Sequence, residues 1–170
     1  MTVGDCGAAT PKITVIGLGN LLLGDEGVGI HALRELSRLE DWPPGVEFVD
    51  AGTAGLDLLP FFDGAELVII IDCIKAEGTP GAVYRFPLEV LENSSPNAGA
   101  EIMSLHDLDL NYVLRLLRVL GRAPTRVVIY GVEPKEIAWG LELSTTVAQA
   151  LPRLVEAVRQ EIRDWLESGS

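Results

Sequence analysis

The sequence predicts an α/β fold in three layers (α/β/α), with a twisted, mostly parallel five-stranded mixed sheet between helices. Five short apolar or β-rich segments are separated mainly by helical patterns, which favours parallel crossovers. Residues 67–71 (LVIII) are continuously apolar, as is typical of a central strand covered on both faces. The connection over 75–81 is shorter than the roughly dozen residues that a parallel crossover needs, so the strand after it should be the one antiparallel strand.

Each element has its own local signal. Residues 13–16 (ITVI) are β-rich and end at a glycine-containing turn, after which a helix is expected from near Gly27. Apolar residues at helical spacing predict a helix over 106–120 with Ser104 as its N-cap. Ser144 should cap a long amphipathic helix that reaches about residue 166 and that Pro152 should kink or split. The remaining predicted elements are strands at 46–49, 82–86 and 126–130 and a short helix at 56–62.

The composition indicates one acidic globular domain. The 170 residues are 48% hydrophobic and 22% charged, which allows a sizeable core without disulfides or structural metals. The net charge of -12 disfavours nucleic acid and anionic membranes as main partners, because both require basic surface. No stretch reaches the roughly 18 consecutive apolar residues of a membrane span, and no secretory signal is recognisable, so we expect a cytoplasmic protein. Residues 1–11 are expected to be a disordered tail, and 12–168 a single domain.

Acidic side chains and one histidine stand where the predicted strands end. Asp25 and Glu26 follow the first strand, Asp50 the second and Asp72 the third, and His106 opens a helix after a long polar loop. In doubly wound sheets, ligand sites form just beyond the carboxyl ends of the strands, so these side chains should share one edge. A strand–turn–helix opening usually prepares a phosphate site, but two adjacent acids at this place would repel phosphate and suit a cation.

Glu26, Asp72 and His106 form a sensible ligand set for a first-row metal ion. Two hard oxygen ligands and one imidazole suit nickel, zinc or a similar divalent ion, with positions left open for water or substrate. Their spacing alone does not decide the matter, because no short metal motif joins the three. Each also has a structural alternative: a helix-dipole acid for Glu26, a turn or cap acid for Asp72, and a solvated helix start for His106.

Other combinations of residues give weaker evidence for a functional site. A dinucleotide fingerprint would need a third glycine where Leu22 stands. Cys73 with His106 could act as a thiol nucleophile and its base, although a small cysteine beside a strand end is more often a packing residue. The carboxylate of Asp72 next door would also raise the pKa of that thiol. His31, inside the first predicted helix, is interpreted as structural.

Several motifs together resemble the nickel–iron hydrogenase maturation endopeptidases, over nearly the whole chain from Ile13 to about Leu166. The most specific are residues 17–20 (GLGN) with 24–29 (GDEGVG), and 50–55 (DAGTAG). Further support comes from Asp72 at the end of an apolar strand, from 104–106 (SLH), and from 131–134 (GVEP) followed by 139–141 (WGL).

The resemblance implies a single catalytic domain over 12–168 that acts as a metal-dependent endopeptidase of the aspartic or metallo type. The substrate would be a hydrogenase large-subunit precursor, from which the enzyme removes a C-terminal extension after nickel insertion. Nickel would be supplied by the precursor rather than held permanently, and other divalent metals could substitute in vitro. A monomer is expected, because the client must reach the cleft.

The resemblance also assigns residues. The metal-binding and catalytic side chains of the family fall on Glu26, Asp72 and His106, and the loop that contains Gly52, Thr53 and Gly55 would border the site. Asp25 and Asp50 are candidates for supporting those ligands or for accepting a proton. Two alternatives stay open: a thiol hydrolase that uses Cys73 and His106, and a non-catalytic nickel-sensing or nickel-delivery module.

Overall fold

One five-stranded sheet organises the computed structural model, which describes residues 12–54, 56–87 and 107–169. The strand order is β2-β1-β3-β5-β4. β1, β2, β3 and β5 run parallel to one another, whereas β4 is an edge strand that pairs antiparallel with β5. The predicted mixed sheet with one antiparallel strand is confirmed. The strands are β1 (Ile13–Leu18), β2 (Val46–Gly52), β3 (Leu67–Cys73), β4 (Val83–Pro87) and β5 (Arg126–Val132).

Helices cover both faces of the sheet in the described ranges, so the three-layer prediction is confirmed. The helices α1 and α4 pack on one face through a core that includes Ile13 and Val15, and α2 and α3 pack on the other face against Ile16 and Leu18. The alternation along β1 follows from the two-residue period of a strand. The α-helices are α1 (Val28–Ser37), α2 (Leu59–Phe62), α3 (Asp107–Val119) and α4 (Thr145–Ser168), with 3-10 turns at Asp25–Gly27 and Leu56–Leu58.

The register of the sheet places the carboxyl ends of four parallel strands side by side. We call this end of the sheet the carboxyl edge. Gly17 near the end of β1 pairs with Asp50 of β2 and with Ile71 of β3. Asp72, one residue further along β3, pairs with Gly131 of β5. The loops that follow β1, β2, β3 and β5 therefore leave the sheet side by side.

The long helix α4 contains Pro152 without a split, which was one of the two effects predicted for this proline. Ser144 caps the helix as predicted, since its Oγ accepts a hydrogen bond from the Val147 amide at 3.4 Å. The helix is not split at Pro152 and continues to Ser168. A proline inside a helix removes one backbone hydrogen bond, and the buried stripe that includes Leu154 and Val158 offsets this cost by packing on the sheet.

An ion-pair network around the buried Glu161 fastens α4 to the sheet. The Glu161 carboxylate accepts hydrogen bonds from Arg85 Nε (2.7 Å) and Nη2 (2.9 Å) and from the Tyr130 hydroxyl (3.0 Å). Arg126 adds an ion pair at 2.9 Å. Burial raises the pKa of the Glu161 carboxyl, but the hydrogen bonds from Arg85 and Tyr130 and the two guanidinium charges outweigh it, and the pKa lies below its ordinary value.

Four predictions fall on residues outside the described ranges: the tail over 1–11, the Ser104 cap, and the placements of Gly55 and His106. None of the helices within the described ranges combines the length and apolar character needed to cross a bilayer.

Candidate active site

Two close backbone approaches set the position of the acidic turn after β1. A methyl group on Gly29 would lie 2.2 Å from the Leu18 carbonyl oxygen and 2.3 Å from that of Ile71. On Gly19, which has φ +136°, it would lie 2.0 Å from the Glu26 carbonyl oxygen. Only glycine fits at either place. The first turn of α1 is therefore pressed against the ends of β1 and β3, and this brings the acidic turn close to Asp72.

Glu26 and Asp72 are two buried carboxylates at this edge. The exposed fractions are 5% for Glu26 and 2% for Asp72, and Asp72 Oδ1 accepts a hydrogen bond from the Cys73 amide at 2.7 Å. Both charges act on the same thiol. Burial first, then the charges of Asp72, Glu26 and Asp25, raise the pKa of Cys73 to about 12. Like charges gathered in a poorly solvated place favour the approach of a cation, which offsets the cost of burying them.

Asp25 has a different task from its neighbour Glu26. Its carboxylate accepts four hydrogen bonds, from the backbone amides of Lys135 (2.9 Å), Glu136 (3.3 Å) and Ser144 (2.7 Å) and from the Ser144 hydroxyl (2.9 Å). The side chain is 1% exposed. Asp25 therefore joins the turn after β1 to the loop after β5, and this geometry does not suit a proton acceptor that must meet water.

Asp50 and Thr53, at the end of β2, face solvent. Asp50 Oδ1 accepts a hydrogen bond from the Gly52 amide at 3.2 Å, and the Gly52 carbonyl accepts one from the Gly19 amide at 2.8 Å. The loop with Gly52 and Thr53 thus lies beside the glycine turn after β1, at the same edge as Glu26. Of the two extra acids that the sequence suggested, Asp50 is the one open to water.

The third predicted ligand, His106, lies outside the described residues, as does Gly55. Within the described ranges, no group of three or more histidine, cysteine, aspartate or glutamate side chains is arranged to hold a metal ion. Glu26 and Asp72 are thus brought to one edge, and their grouping with His106 stays a prediction.

The geometry around Cys73 weighs against a thiol nucleophile. The side chain is 6% exposed and belongs to the hydrophobic core between the sheet and helices α1 and α4. A thiol with a pKa near 12 is protonated at neutral pH, and the protonated form is a weak nucleophile. Cys73 is therefore best described as a packing residue.

Glu133, directly after β5, has a structural role that the sequence did not reveal. It follows β5 and is 6% exposed, and its Oε2 accepts hydrogen bonds from the Ala76 amide and from the Tyr84 hydroxyl, both at 2.9 Å. It thereby holds the connection that leaves β3 directly after Asp72 and Cys73. A buried strand that ends in Gly-Val-Glu-Pro was the available signal, because a carboxylate at such a place needs partners.

Comparisons with known proteins agree with this architecture. Residues 30–161 match the family model described as hydrogenase maturation protease. A hydrogenase expression/formation protein, HupD of Rhodobacter capsulatus, is 33% identical over 157 residues, which cover 91% of this chain and 72% of that protein. The chain belongs to the hydrogenase maturation protease family. The hydrogenase 2 maturation protease of Escherichia coli is 30% identical over 154 residues, or 90% of this chain and 92% of that protein.

Solved structures of this protease family share the fold. The hydrogenase maturating endopeptidase HybD from Escherichia coli aligns with a TM-score of 0.80 and 30% identity, over 90% of this chain and 93% of that one. The NiFe hydrogenase maturation protease HybD from Thermococcus kodakarensis aligns with a TM-score of 0.71 and 31% identity, over 88% and 97%. The mixed sheet with flanking helices is thus the fold of this protease family, and the predicted family is confirmed.

Proposed function

We propose that this protease removes the C-terminal extension of a nickel–iron hydrogenase large-subunit precursor, and that it does so after nickel has been inserted. Membership of the hydrogenase maturation protease family supports the reaction class. The observation that carries the nickel requirement is the pair of buried carboxylates, Glu26 and Asp72, at the carboxyl edge of the sheet. The enzyme would act in the cytoplasm and as a monomer.

In this proposal, Glu26, Asp72 and His106 complete the coordination of a nickel ion that belongs to the substrate. Two carboxylates and one imidazole are a donor set that nickel accepts. The ion would polarise the scissile carbonyl or lower the pKa of an attacking water. The hydrogen bond from the Cys73 amide fixes one oxygen of Asp72, so that the carboxylate is oriented before the client arrives.

Proton transfer is assigned to Asp50. It is exposed at the end of β2, next to the strand that leads to Glu26, and it can therefore exchange protons with water. Asp25 is excluded from this step, because its four hydrogen bonds occupy both carboxylate oxygens.

A comparison of nickel-loaded and nickel-free precursor tests the metal requirement. The purified protease is incubated with each form, and shortening of the precursor is followed by gel mobility and by intact mass. We expect cleavage of the loaded form alone, since the ligands of the enzyme need an ion to bind. Equal cleavage of both forms would remove nickel from the proposal, and binding without any shortening would indicate a carrier instead.

Near-isosteric variants test the ligands. Glu26→Gln and Asp72→Asn remove a charge but keep the side-chain shape, and the amide oxygen introduced by Asp72→Asn can still accept from the Cys73 amide. We expect each variant to lose cleavage by roughly a hundredfold or more, because the donor set is incomplete. Glu66→Gln, an exposed glutamate just before β3 at the opposite edge of the sheet, is the matched control and should cleave normally. Full activity in Glu26→Gln or in Asp72→Asn would exclude that residue as a ligand.

A further inference from the structure

Three large apolar side chains stand exposed together beside the acidic turn. The exposed fractions are 52% for Leu22, 84% for Trp139 and 67% for Leu141. We refer to Leu22, Trp139 and Leu141 as the docking patch. Single exposed apolar residues are ordinary, but a group of them that includes tryptophan is typical of a surface that binds another protein.

Backbone hydrogen bonds hold the two loops that carry the docking patch together. The Gly140 amide donates to the Leu22 carbonyl at 3.0 Å, and the Gly24 amide donates to the Gly140 carbonyl at 2.8 Å. Isolated bridges pair Leu23 with Gly140 and Gly24 with Ile137. Leu22 is thereby placed next to the segment in which Trp139 and Leu141 flank Gly140.

Asp25 also fixes the loop after β5 from below. Its carboxylate accepts hydrogen bonds from the amides of Lys135, Glu136 and Ser144. The backbone that carries the docking patch is therefore already ordered before a partner binds. Such preorganisation lowers the entropic cost of binding.

The charge around the docking patch indicates what kind of partner fits it. A cavity of about 140 Å³ lies against Trp139, and its lining includes Glu136 and Glu142, both exposed. Asp25 also lines this cavity, but its carboxylate is occupied by backbone amides. No lysine or arginine belongs to the lining residues in the described part of the chain. A guanidinium or ammonium group would find two carboxylates and one indole side chain among the lining residues.

We propose that the docking patch binds the hydrogenase large-subunit precursor, through a segment that presents a large apolar side chain next to an arginine or lysine. This inference rests on the proposed function, because it names the same client. The patch is continuous with the candidate catalytic edge, since Gly24 pairs with the loop of Trp139 and is followed directly by Asp25 and Glu26. A basic segment is also favoured by the net charge of -12.

Truncation of the tryptophan tests the apolar part of the proposal. Trp139→Ala is compared with Val119→Ala, whose side chain is equally exposed at 84% and lies at the end of α3 that precedes β5, away from the catalytic edge. Binding of fluorescently labelled, nickel-loaded precursor is titrated, and KM and kcat are measured separately. We expect Kd and KM of Trp139→Ala to rise roughly tenfold or more, with kcat within about twofold of wild type. Val119→Ala should match wild type in all three.

Charge neutralisation tests the basic part. The double variant Glu136→Gln/Glu142→Gln should bind the precursor more weakly and with a shallower salt dependence than wild type, because two attractive charges are lost. Unchanged Kd and salt dependence in this variant would refute the basic segment.

Four other outcomes separate the possible failures. Binding by Trp139→Ala that equals wild type would refute the docking patch, and so would a loss confined to kcat. Sedimentation that shows a wild-type dimer and a Trp139→Ala monomer, with precursor binding unchanged, would assign the patch to self-association and overturn the proposal. If wild-type protein binds the loaded precursor through Trp139 but does not shorten it, the docking patch is supported and the proposed function fails.

Discussion

Replacing Asp25 by asparagine should destabilise the protein although the shape of the side chain is kept. An asparagine has one acceptor oxygen, whereas the carboxylate meets the amides of Lys135 and Glu136 and the Ser144 hydroxyl at Oδ2 and the Ser144 amide at Oδ1. In either orientation, the NH2 group faces at least one backbone amide, so a charge-assisted hydrogen bond becomes a donor–donor contact. The remaining bonds lose the charge. Because a hydrogen bond to a charged group contributes about 1.5–3 kcal/mol, we expect a loss of about 3 kcal/mol.

Urea unfolding followed by circular dichroism measures this loss, and a thermal scan should show a fall in Tm of roughly 6–12 °C for a domain of this size. Asp50→Asn is the matched control. Asp50 is exposed and accepts one hydrogen bond, from the Gly52 amide, which an asparagine oxygen accepts as well, so the change should stay below about 0.5 kcal/mol. If Asp25→Asn lost less than about 1 kcal/mol at an unchanged m-value, the four hydrogen bonds would not be what holds the two loops together.

Two further predictions concern buried groups. Glu161→Gln should lower the free energy of unfolding by about 2 kcal/mol at pH 7, because Arg85 and Arg126 lose their buried partner. The pKa of Glu161 is lowered by folding, so its contribution is complete above its ordinary value of 4.5 and is lost as the pH falls below it. Urea titrations between pH 3 and pH 7 should therefore show the difference from wild type shrinking in acid, and a difference that is constant with pH would contradict this account. Cys73→Ala should keep kcat/KM within about threefold of wild type, because a buried, protonated thiol is not the nucleophile; a hundredfold loss in a folded variant would restore the thiol mechanism.

The sheet could be predicted from the sequence because its strands carry strong local signals. The uninterrupted apolar run at 67–71 became β3, buried on both faces, and the short connection after it forced β4 to run antiparallel. The order of the strands in the sheet could not be predicted in the same way. It depends on which helix packs on which apolar surface of the sheet, and no single segment of the sequence carries that information.

Helix α4 shows that a strong local signal can also mislead. Pro152 is a strong local signal against a continuous helix, yet the helix continues, because packing of its apolar stripe on the sheet outweighs one missing backbone hydrogen bond. Local preference was overridden by tertiary contacts.

At the candidate site, the sequence predicted that the carboxylates lie at the carboxyl ends of the strands. It did not predict which of them has a structural role and which is available as a ligand. Glu26 and Asp72 were predicted to follow neighbouring strands; the structure has Glu26 in the turn after β1 and Asp72 near the end of β3, both buried. That Asp25 serves the loop after β5 depends on contacts more than 100 residues away in the chain, with separations of 110, 111 and 119 residues. The role of Glu133 was missed for the same reason, since its partners, Ala76 after β3 and Tyr84 on β4, are distant in the sequence.

The adjacent acids, Asp25 and Glu26, divide two tasks because they occupy a 3-10 turn. With about three residues per turn, successive side chains point roughly 120° apart. Asp25 accordingly faces the loop after β5, whereas the charge of Glu26 acts more strongly than that of Asp25 on Cys73 at the end of β3. One short turn thus fixes the position of the docking patch and that of the proposed metal ligand relative to each other. Any change that releases Asp25 from Ser144 should therefore weaken client binding and cleavage together, whereas Glu26→Gln should affect cleavage far more than docking.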